Sequence, residues 1–258
     1  MKHIARKRFG QNFLTDQSVL DNIVSAIAPK SSDRMLEIGP GMGAMTENLL
    51  PFLSHMDVIE LDRDLVSYLK ERFPEDKLTV HQGDALSFDF SKTGASPDNK
   101  WRIVGNLPYN ISSPLLFHLM NFSSCIEDQH FMLQKEVVER MVAEPGSKAF
   151  GRLSVMLQWQ YDMELLFIVP PDAFDPMPKV DSAIVRMIPK ATPETCSLEA
   201  LEKTVTQAFS QRRKMLRNNL APLFSESMLI ELGVDPTRRP EDLTVEQFIH
   251  LANHLNQS

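Results

Sequence analysis

Cysteine is scarce here: two residues in 258, Cys125 and Cys196, neither in a C-x-x-C pair nor beside a histidine cluster. A disulfide framework and a structural zinc site are therefore not expected. The seven histidines are scattered and no H-E-x-x-H motif occurs, so no metal is expected either. Long apolar runs are missing as well. The longest, such as Leu165 to Pro171, fall far short of the roughly 20 residues that span a bilayer, so no membrane partner is expected. The basic opening, Met1 to Gly10, is followed by no apolar stretch of the kind a secretory signal needs, which points to a cytoplasmic protein. What remains, 43% apolar and 24% charged residues, is the composition of a globular chain with one large core and room for a small second domain.

The chain also lacks a basic excess: its formal net charge is −7. On average that argues against nucleic acid, but phosphate binding depends on local potential. Lys2, Arg6, Lys7 and Arg8 form an acid-free basic arm, and Arg212, Arg213, Lys214 and Arg217 form a second cluster, with Arg238 and Arg239 beyond. The arm and the second cluster are the candidate RNA-binding residues. Taken alone, each cluster also fits a solvated helix face.

Short β-rich runs at Arg34–Ile38, Met56–Leu61, Lys77–His81, Trp101–Gly105, His130–Leu133, Leu165–Val169 and Ala183–Ile188 predict seven strands. Helical patterns lie between them at Ser18–Ala28, Ala44–Leu53, Arg63–Phe73, Ser113–Asn121, Glu136–Ala143 and Leu153–Gln160. Such alternation implies an α/β fold, a seven-stranded and mainly parallel sheet with helices on both faces. No strong helix separates the last two strands, which suits an antiparallel hairpin at one edge. After Ile188 the linker-like Pro189-Lys190-Ala191-Thr192-Pro193 leads into a purely helical remainder. The expected division is a catalytic domain over 1–190 and a small all-helical domain over 193–258.

At the end of the first predicted strand stands Glu37-Ile38-Gly39-Pro40-Gly41-Met42-Gly43. Glycines there let the backbone turn tightly and approach a ligand. The next strand ends at Glu60-Leu61-Asp62, about twenty residues on, where a carboxylate can accept from both hydroxyls of a ribose. Together they predict an adenosine-type cofactor. The spacing is G-x-G-x-G rather than G-x-G-x-x-G and an acid precedes it, which suits the sulfonium of S-adenosylmethionine better than a pyrophosphate. Asp84, after the third strand, can accept from the adenine amine or cap a turn.

After the fourth strand comes Gly105-Asn106-Leu107-Pro108-Tyr109-Asn110. The exocyclic nitrogen of adenine is a poor nucleophile because its lone pair is delocalised into the ring. Two acceptors for its hydrogens, the Asn106 side-chain oxygen and the Leu107 carbonyl, would localise that lone pair toward an incoming methyl. Tyr109 offers a flat face to the extruded base and Pro108 stiffens the turn. Nitrogen can attack first and lose its proton afterwards, so positioning and electrostatics carry the expected catalysis.

These motifs identify the sequence as similar to the ribosomal RNA adenine N6,N6-dimethyltransferases, and the resemblance runs almost end to end. It includes Phe9-Gly10-Gln11-Asn12-Phe13-Leu14, the glycine loop, Glu60, Asp84 and Asn106 to Tyr109. It continues through Pro170 to Ser182 and Phe209 to Leu220. The resemblance implies a Rossmann-like class I methyltransferase domain with S-adenosylmethionine bound by Asn12, Leu14, Gly39, Gly41, Glu60, Leu61, Asp84 and Asn106, with Gln11 and Ala85 beside them. It also places Phe174 with Tyr109 on the target base, although the residues alone read Phe174 as a core aromatic. Its implied substrate is a pair of adjacent adenines in a hairpin loop near the 3′ end of small-subunit (16S) ribosomal RNA, within an immature 30S subunit. A monomer is expected, although the residues do not fix the oligomeric state. Other readings are the branch that dimethylates large-subunit RNA, a subunit-assembly factor in which methylation is secondary, and a DNA adenine methyltransferase.

Overall fold

The structure, a computed structural model, describes residues 12–93, 98–211 and 213–255. Gln11, Lys2, Arg6, Lys7, Arg8 and Arg212, all expected at binding sites, lie outside the described residues. The chain divides into two compact units. One runs through Val138 and takes in Met163–Pro189; the other comprises Glu139–Asp162 and the chain from Lys190 onward.

The first unit holds a seven-stranded sheet. Its strands are β2 (Arg34–Ile38), β3 (Met56–Glu60), β4 (Leu78–Gln82), β5 (Trp101–Asn106), β6 (Ile126–Gln134), β7 (Tyr161–Val169) and β9 (Ser182–Pro189), in the order β4-β3-β2-β5-β6-β9-β7. The pairs among β4, β3, β2, β5 and β6 are parallel, and β9 joins β6 antiparallel. The last two long strands are neighbours at one edge, as the missing helix between them implied, and the later strand is the inner one. Central strands read as unbroken apolar runs because both faces are covered: Trp101, Ile103 and Val104 of β5 are fully buried. A two-stranded sheet, β1 (Phe13–Leu14) with β8 (Phe174–Asp175), pairs Leu14 with Phe174.

Helices connect the strands: α1 (Gln17–Ile27), α2 (Ala44–Leu49), α3 (Arg63–Arg72), α4 (Ser112–Met120) and α5 (Lys135–Met141). In α1 the buried residues Val19, Leu20, Ile23 and Ile27 recur at helical spacing, and the Asp16 side chain caps the start by accepting from the Val19 amide at 3.1 Å. In α3, Asp62 does the same for the Asp64 amide at 3.0 Å.

The sequence places the domain boundary near residue 190, whereas the helical unit also takes in 139–162. There α6 (Arg152–Gln160) packs with α7 (Leu198–Ala208) and α10 (Val245–Leu255). Trp159 and Lys190 bind across this group: the indole Nε1 donates to the Glu194 carbonyl at 2.8 Å, and the Lys190 amide donates to Gln160 at 2.8 Å. The reason is burial: Val155, Leu157, Leu201, Val205, Phe248 and Ala252 lose almost all contact with water, which no one of these helices achieves alone. Short helices α8 (Leu216–Asn219) and α9 (Glu226–Glu231) complete the unit. Among the described residues no helix is long and apolar enough to cross a membrane.

Candidate active site

Because β2, β3, β4 and β5 are parallel, their C-terminal ends share one edge of the sheet, where open α/β sheets bind ligands. Backbone bonds stitch this edge together. The Gly39 amide donates to Ile59 at 2.9 Å, Gly83 to Glu60 at 3.0 Å and Leu107 to Met132 at 3.1 Å. A cavity of about 450 Å³ opens there, lined by β1, the loops after those four strands and β8. It falls within the usual range for small-ligand sites.

The structure gathers Asn12, Leu14, Gly39, Gly41, Glu60, Leu61, Asp84, Ala85, Asn106, Leu107, Pro108, Tyr109 and Phe174 around that one space. Gly39 has φ +67°, and a Cβ built on it would meet nothing within 4 Å, so glycine serves backbone shape there while the side next to it stays open. At Gly41 a Cβ would stand 3.0 Å from the Phe13 ring. Phe13 thus packs over the loop, a contact sequence reasoning missed although Phe13 lies inside the Phe9 to Leu14 motif.

Glu60 is 6% exposed; its Oε2 accepts from the Gly41 amide at 3.2 Å and its Oε1 from the Asp62 amide at 2.9 Å. A carboxylate offers about four acceptor positions, so capacity remains for a diol. Burial pushes its pKa up, against the opposing backbone N–H groups of Asp62, Gly41 and Leu61. Glu37 is buried deeper. Burial first, with the nearby Glu60 charge adding, raises its pKa to about 7 despite a 2.5 Å hydrogen bond donated by Thr46 Oγ1. Asp84 is exposed, and its Oδ1 accepts from the Leu86 amide at 2.9 Å, the turn-capping role its sequence context allowed.

The Asn106–Tyr109 end of the cavity is built on β5. A Cβ on Gly105 would lie 2.6 Å from the Ile38 carbonyl oxygen, so only glycine lets β5 pass the end of β2 this closely. Asn106 Nδ2 donates to the Asn12 carbonyl at 3.0 Å. A carbonyl can only accept, which fixes the amide's orientation and leaves Oδ1 as the acceptor end. The Ile111 amide closes the following turn on the Pro108 carbonyl at 3.1 Å, and Tyr109 OH lies 3.5 Å from Ser182 Oγ. Phe174 is 5% exposed and belongs at once to the hydrophobic core and to the cavity wall, so the core reading and the site reading both describe it.

Five carboxylates line the cavity, those of Glu37, Glu60, Asp62, Asp84 and Asp175, and among the described lining residues there is no Lys, Arg or His. Such a lining disfavours a pyrophosphate and favours a ligand carrying positive charge.

The basic cluster lies in the helical unit. Arg213 and Lys214 are exposed on the turn after α7. The buried Asn219 holds that turn: its Nδ2 donates to the Ala208 carbonyl at 2.6 Å and the Gln211 carbonyl at 3.0 Å. The Leu216 amide donates to Arg238 at 2.8 Å and the Arg217 amide to Pro236 at 3.0 Å, which joins the exposed Arg238 and Arg239 to the same region. Arg217 is 3.5 Å from Glu226.

A parallel nucleotide-type sheet, a glycine turn answered by a strand-end acid and an acid-lined cavity define a Rossmann-like methyltransferase. The sequence profile described as ribosomal RNA adenine dimethylase matches residues 2–257. The chain belongs to that family. It is 62% identical to the ribosomal RNA small subunit methyltransferase A of Janthinobacterium sp. (strain Marseille) over 99% of this chain and 100% of that one, and 55% identical to that of Dechloromonas aromatica (strain RCB) over 98% and 99%. Among solved structures it is similar to a dimethyladenosine transferase from Plasmodium falciparum, with TM-score 0.81, 28% identity, and 95% and 98% of the two chains covered. It is also similar to the 23S rRNA methyltransferase ErmE, with TM-score 0.71, 26% identity, and 95% and 100% covered.

Proposed function

We propose that the cavity binds S-adenosylmethionine and that an adenine of small-subunit ribosomal RNA enters it at Asn106 to Tyr109 to be dimethylated at N6. The observation that carries this reading is the acid-lined cavity, with no cation among its described lining residues, joined without a break to the Asn106–Tyr109 turn. Glu60 takes the ribose hydroxyls, Leu61 and Ala85 flank the adenine of the cofactor, Asp84 accepts from its amine, and Asn12, Leu14, Gly39, Gly41 and Glu37 surround the methionine end. Gln11 belongs to the same set. The cofactor supplies an electrophilic methyl group.

The chain's own work is orientation. Asn106 Oδ1 and the Leu107 carbonyl accept the two hydrogens of the target amine, so its lone pair turns out of the ring. Pro108 fixes the turn, and Tyr109 and Phe174 hold the base between them. The substrate is the pair of adjacent adenines in the 3′-terminal hairpin loop of 16S RNA, presented by an immature 30S subunit in the cytoplasm. Arg213, Lys214 and Arg217, together with Arg212 and the arm residues Lys2, Arg6, Lys7 and Arg8, bind its phosphates, and the enzyme works as a monomer. The identity of 62% to a small-subunit enzyme favours this substrate over the large-subunit one.

The test is Asn106→Ala in single-turnover methylation of unmethylated subunits at saturating S-adenosylmethionine, with the labelled positions mapped. Transfer to the two adenines should fall by about a hundredfold or more, the usual loss for one preorganised polar partner. Subunit binding should persist, because it is spread over phosphate contacts. A near wild-type rate, or label on large-subunit RNA, contradicts the reading. Loss of RNA binding alone would remove Asn106 from the reaction centre.

A further inference from the structure

The loop between β8 and β9 has no part in the chemistry above, yet both its ends are tied to the reaction end of the cavity. Asp175 lines the cavity and pairs with Phe13, and Ser182 Oγ lies 3.5 Å from the Tyr109 hydroxyl. A chain step covers at most about 3.6 Å, so the Cα of Met177 lies within about 7 Å of that of Asp175, and the Cα of Val180 within about 7 Å of that of Ser182. Pro178 between them is buried. Asp181 is fastened too, its carbonyl accepting from the Lys135 amide at 3.0 Å. On this anchored loop Met177 is 64% exposed, Val180 is 45% exposed, and Lys179 is exposed between them.

Single exposed apolar side chains are ordinary. Two on one short loop, tied at both ends beside the cavity and with a cation between them, are a surface for something apolar and anionic at once. The family acts on ribosomal RNA. A base drawn into the cavity stays covalently joined to its neighbours, so a flanking nucleotide must lie at the rim.

We propose that Met177 and Val180 receive the unstacked base next to the target adenine and that Lys179 meets its phosphate. The loop then sets which nucleotide adjoins the target and holds the second adenine while the first is methylated. This rests on the reading of Asn106 to Tyr109 as the reaction centre. Apolar contact with a base face is sequence-tolerant, and a Lys–phosphate contact is read as salt dependence.

The test compares wild type, Met177→Ser/Val180→Ser, Met177→Leu/Val180→Ile and Lys179→Ala on small subunits carrying either the natural neighbour or an abasic site there. The serine pair should lose about tenfold in kcat/KM on the natural loop and lose little on the abasic one, where the contact is already gone. The Leu/Ile pair keeps the apolar area and should keep the rate. Lys179→Ala should lower the salt slope of subunit binding by about one on both substrates. Calorimetric S-adenosylmethionine binding should be unchanged in every variant. An undiminished kcat/KM in the serine pair overturns the proposal, as do an equal loss on both substrates, which would mean a protein or backbone contact, and a loss of cofactor affinity, which would make the loop part of the cavity wall. Asn106→Ala run alongside separates the two ideas: if it methylates normally the reaction-centre reading fails, and if only the loop variants behave as wild type this proposal fails.

Discussion

Replacing Gly105 by alanine should damage stability and cofactor binding together, and the size of the effect can be worked from one distance. The added Cβ would stand 2.6 Å from the Ile38 carbonyl oxygen and 3.2 Å from Leu107 Cδ2. Carbon–oxygen contacts settle at roughly 3.3 Å or beyond, so β5 and β2 must part by about 0.7 Å. The obstacle is backbone of β2, buried and held on both sides by parallel pairing with β3 and β5, so no rotamer change relieves it. Overpacking of this kind costs about 1–3 kcal/mol, or roughly 3–10 °C in Tm for a unit of this size. Ile38 directly precedes Gly39, whose amide is bonded to Ile59, so the displacement passes into the cofactor loop and S-adenosylmethionine affinity should fall as well. Scanning calorimetry and titration calorimetry read the two effects. Gly83→Ala is the control, since a Cβ there meets nothing within 4 Å, and it should change stability by less than about 0.5 kcal/mol. If Gly105→Ala melts with wild type and binds cofactor equally well, the close approach of the two strands is not what requires glycine.

Glu60→Gln should weaken S-adenosylmethionine binding by about 10- to 100-fold in calorimetry, the range for losing a charge-assisted hydrogen bond, and unchanged affinity would remove Glu60 from the ribose site. Glu37 releases its proton near 4.5 in the unfolded chain but only at about 7 in the fold. The stability this proton protects is therefore fully present below pH 4.5 and is lost as pH rises through 7, by about 3 kcal/mol. Glu37→Gln, which keeps an acceptor for Thr46, should flatten that fall in urea midpoints between pH 4.5 and 8; a parallel curve would refute the assignment. Neutralising Arg213 and Lys214 should lower the salt slope of subunit binding by about one to two. Asn219→Ala strips the buried Ala208 carbonyl of a donor and unties the Gln211 carbonyl, so it should cost about 1–3 kcal/mol and weaken RNA binding without touching RNA; normal binding would free the basic turn from that amide.

Much of the sheet could be read from apolar runs, and the glycine turn with Glu60 from spacing alone. The beginning of β6 could not. Its Glu127, Asp128, Gln129 and His130 look like a surface segment, yet Arg102 of β5 neutralises Asp128 with bonds of 2.7 Å from Nη2 and 3.0 Å from Nε, and takes Asp33 at 2.6 Å. Periodicity scores residues singly, whereas this strand becomes apolar only as part of a pair. Its His130 is held neutral, its pKa pushed down to about 4 by burial, with the Asp128 charge opposing. The β1–β8 pair was missed because two residues carry no period. Helix α6 is legible as a helix, but its grouping with α7 and α10 is not, since an apolar stripe says that a face will be covered and not by what. In the site, the glycines and Glu60 follow from chemistry. Asn12, Leu14 and Phe174 came through resemblance, because they approach the cavity from segments far apart in the chain.

The chain leaves the first unit at Val138, returns at Met163 and leaves again after Pro189. No single cut, whether by a protease or by a shortened gene, can therefore release the helical unit whole. A fragment beginning at Lys190 would carry α7 and α10 without α6 and would bare the apolar faces those helices share with it. Because β7 follows α6 with no intervening residue, unravelling of the helical unit would tug first on the outermost strand of the sheet. The strands that carry the glycine turn and Glu60 stand on the far side of β5, β6 and β9 from that edge. If the basic turn binds RNA and the glycine turn the cofactor, as proposed, a partly unfolded protein of this design would lose its grip on RNA before it lost its cofactor.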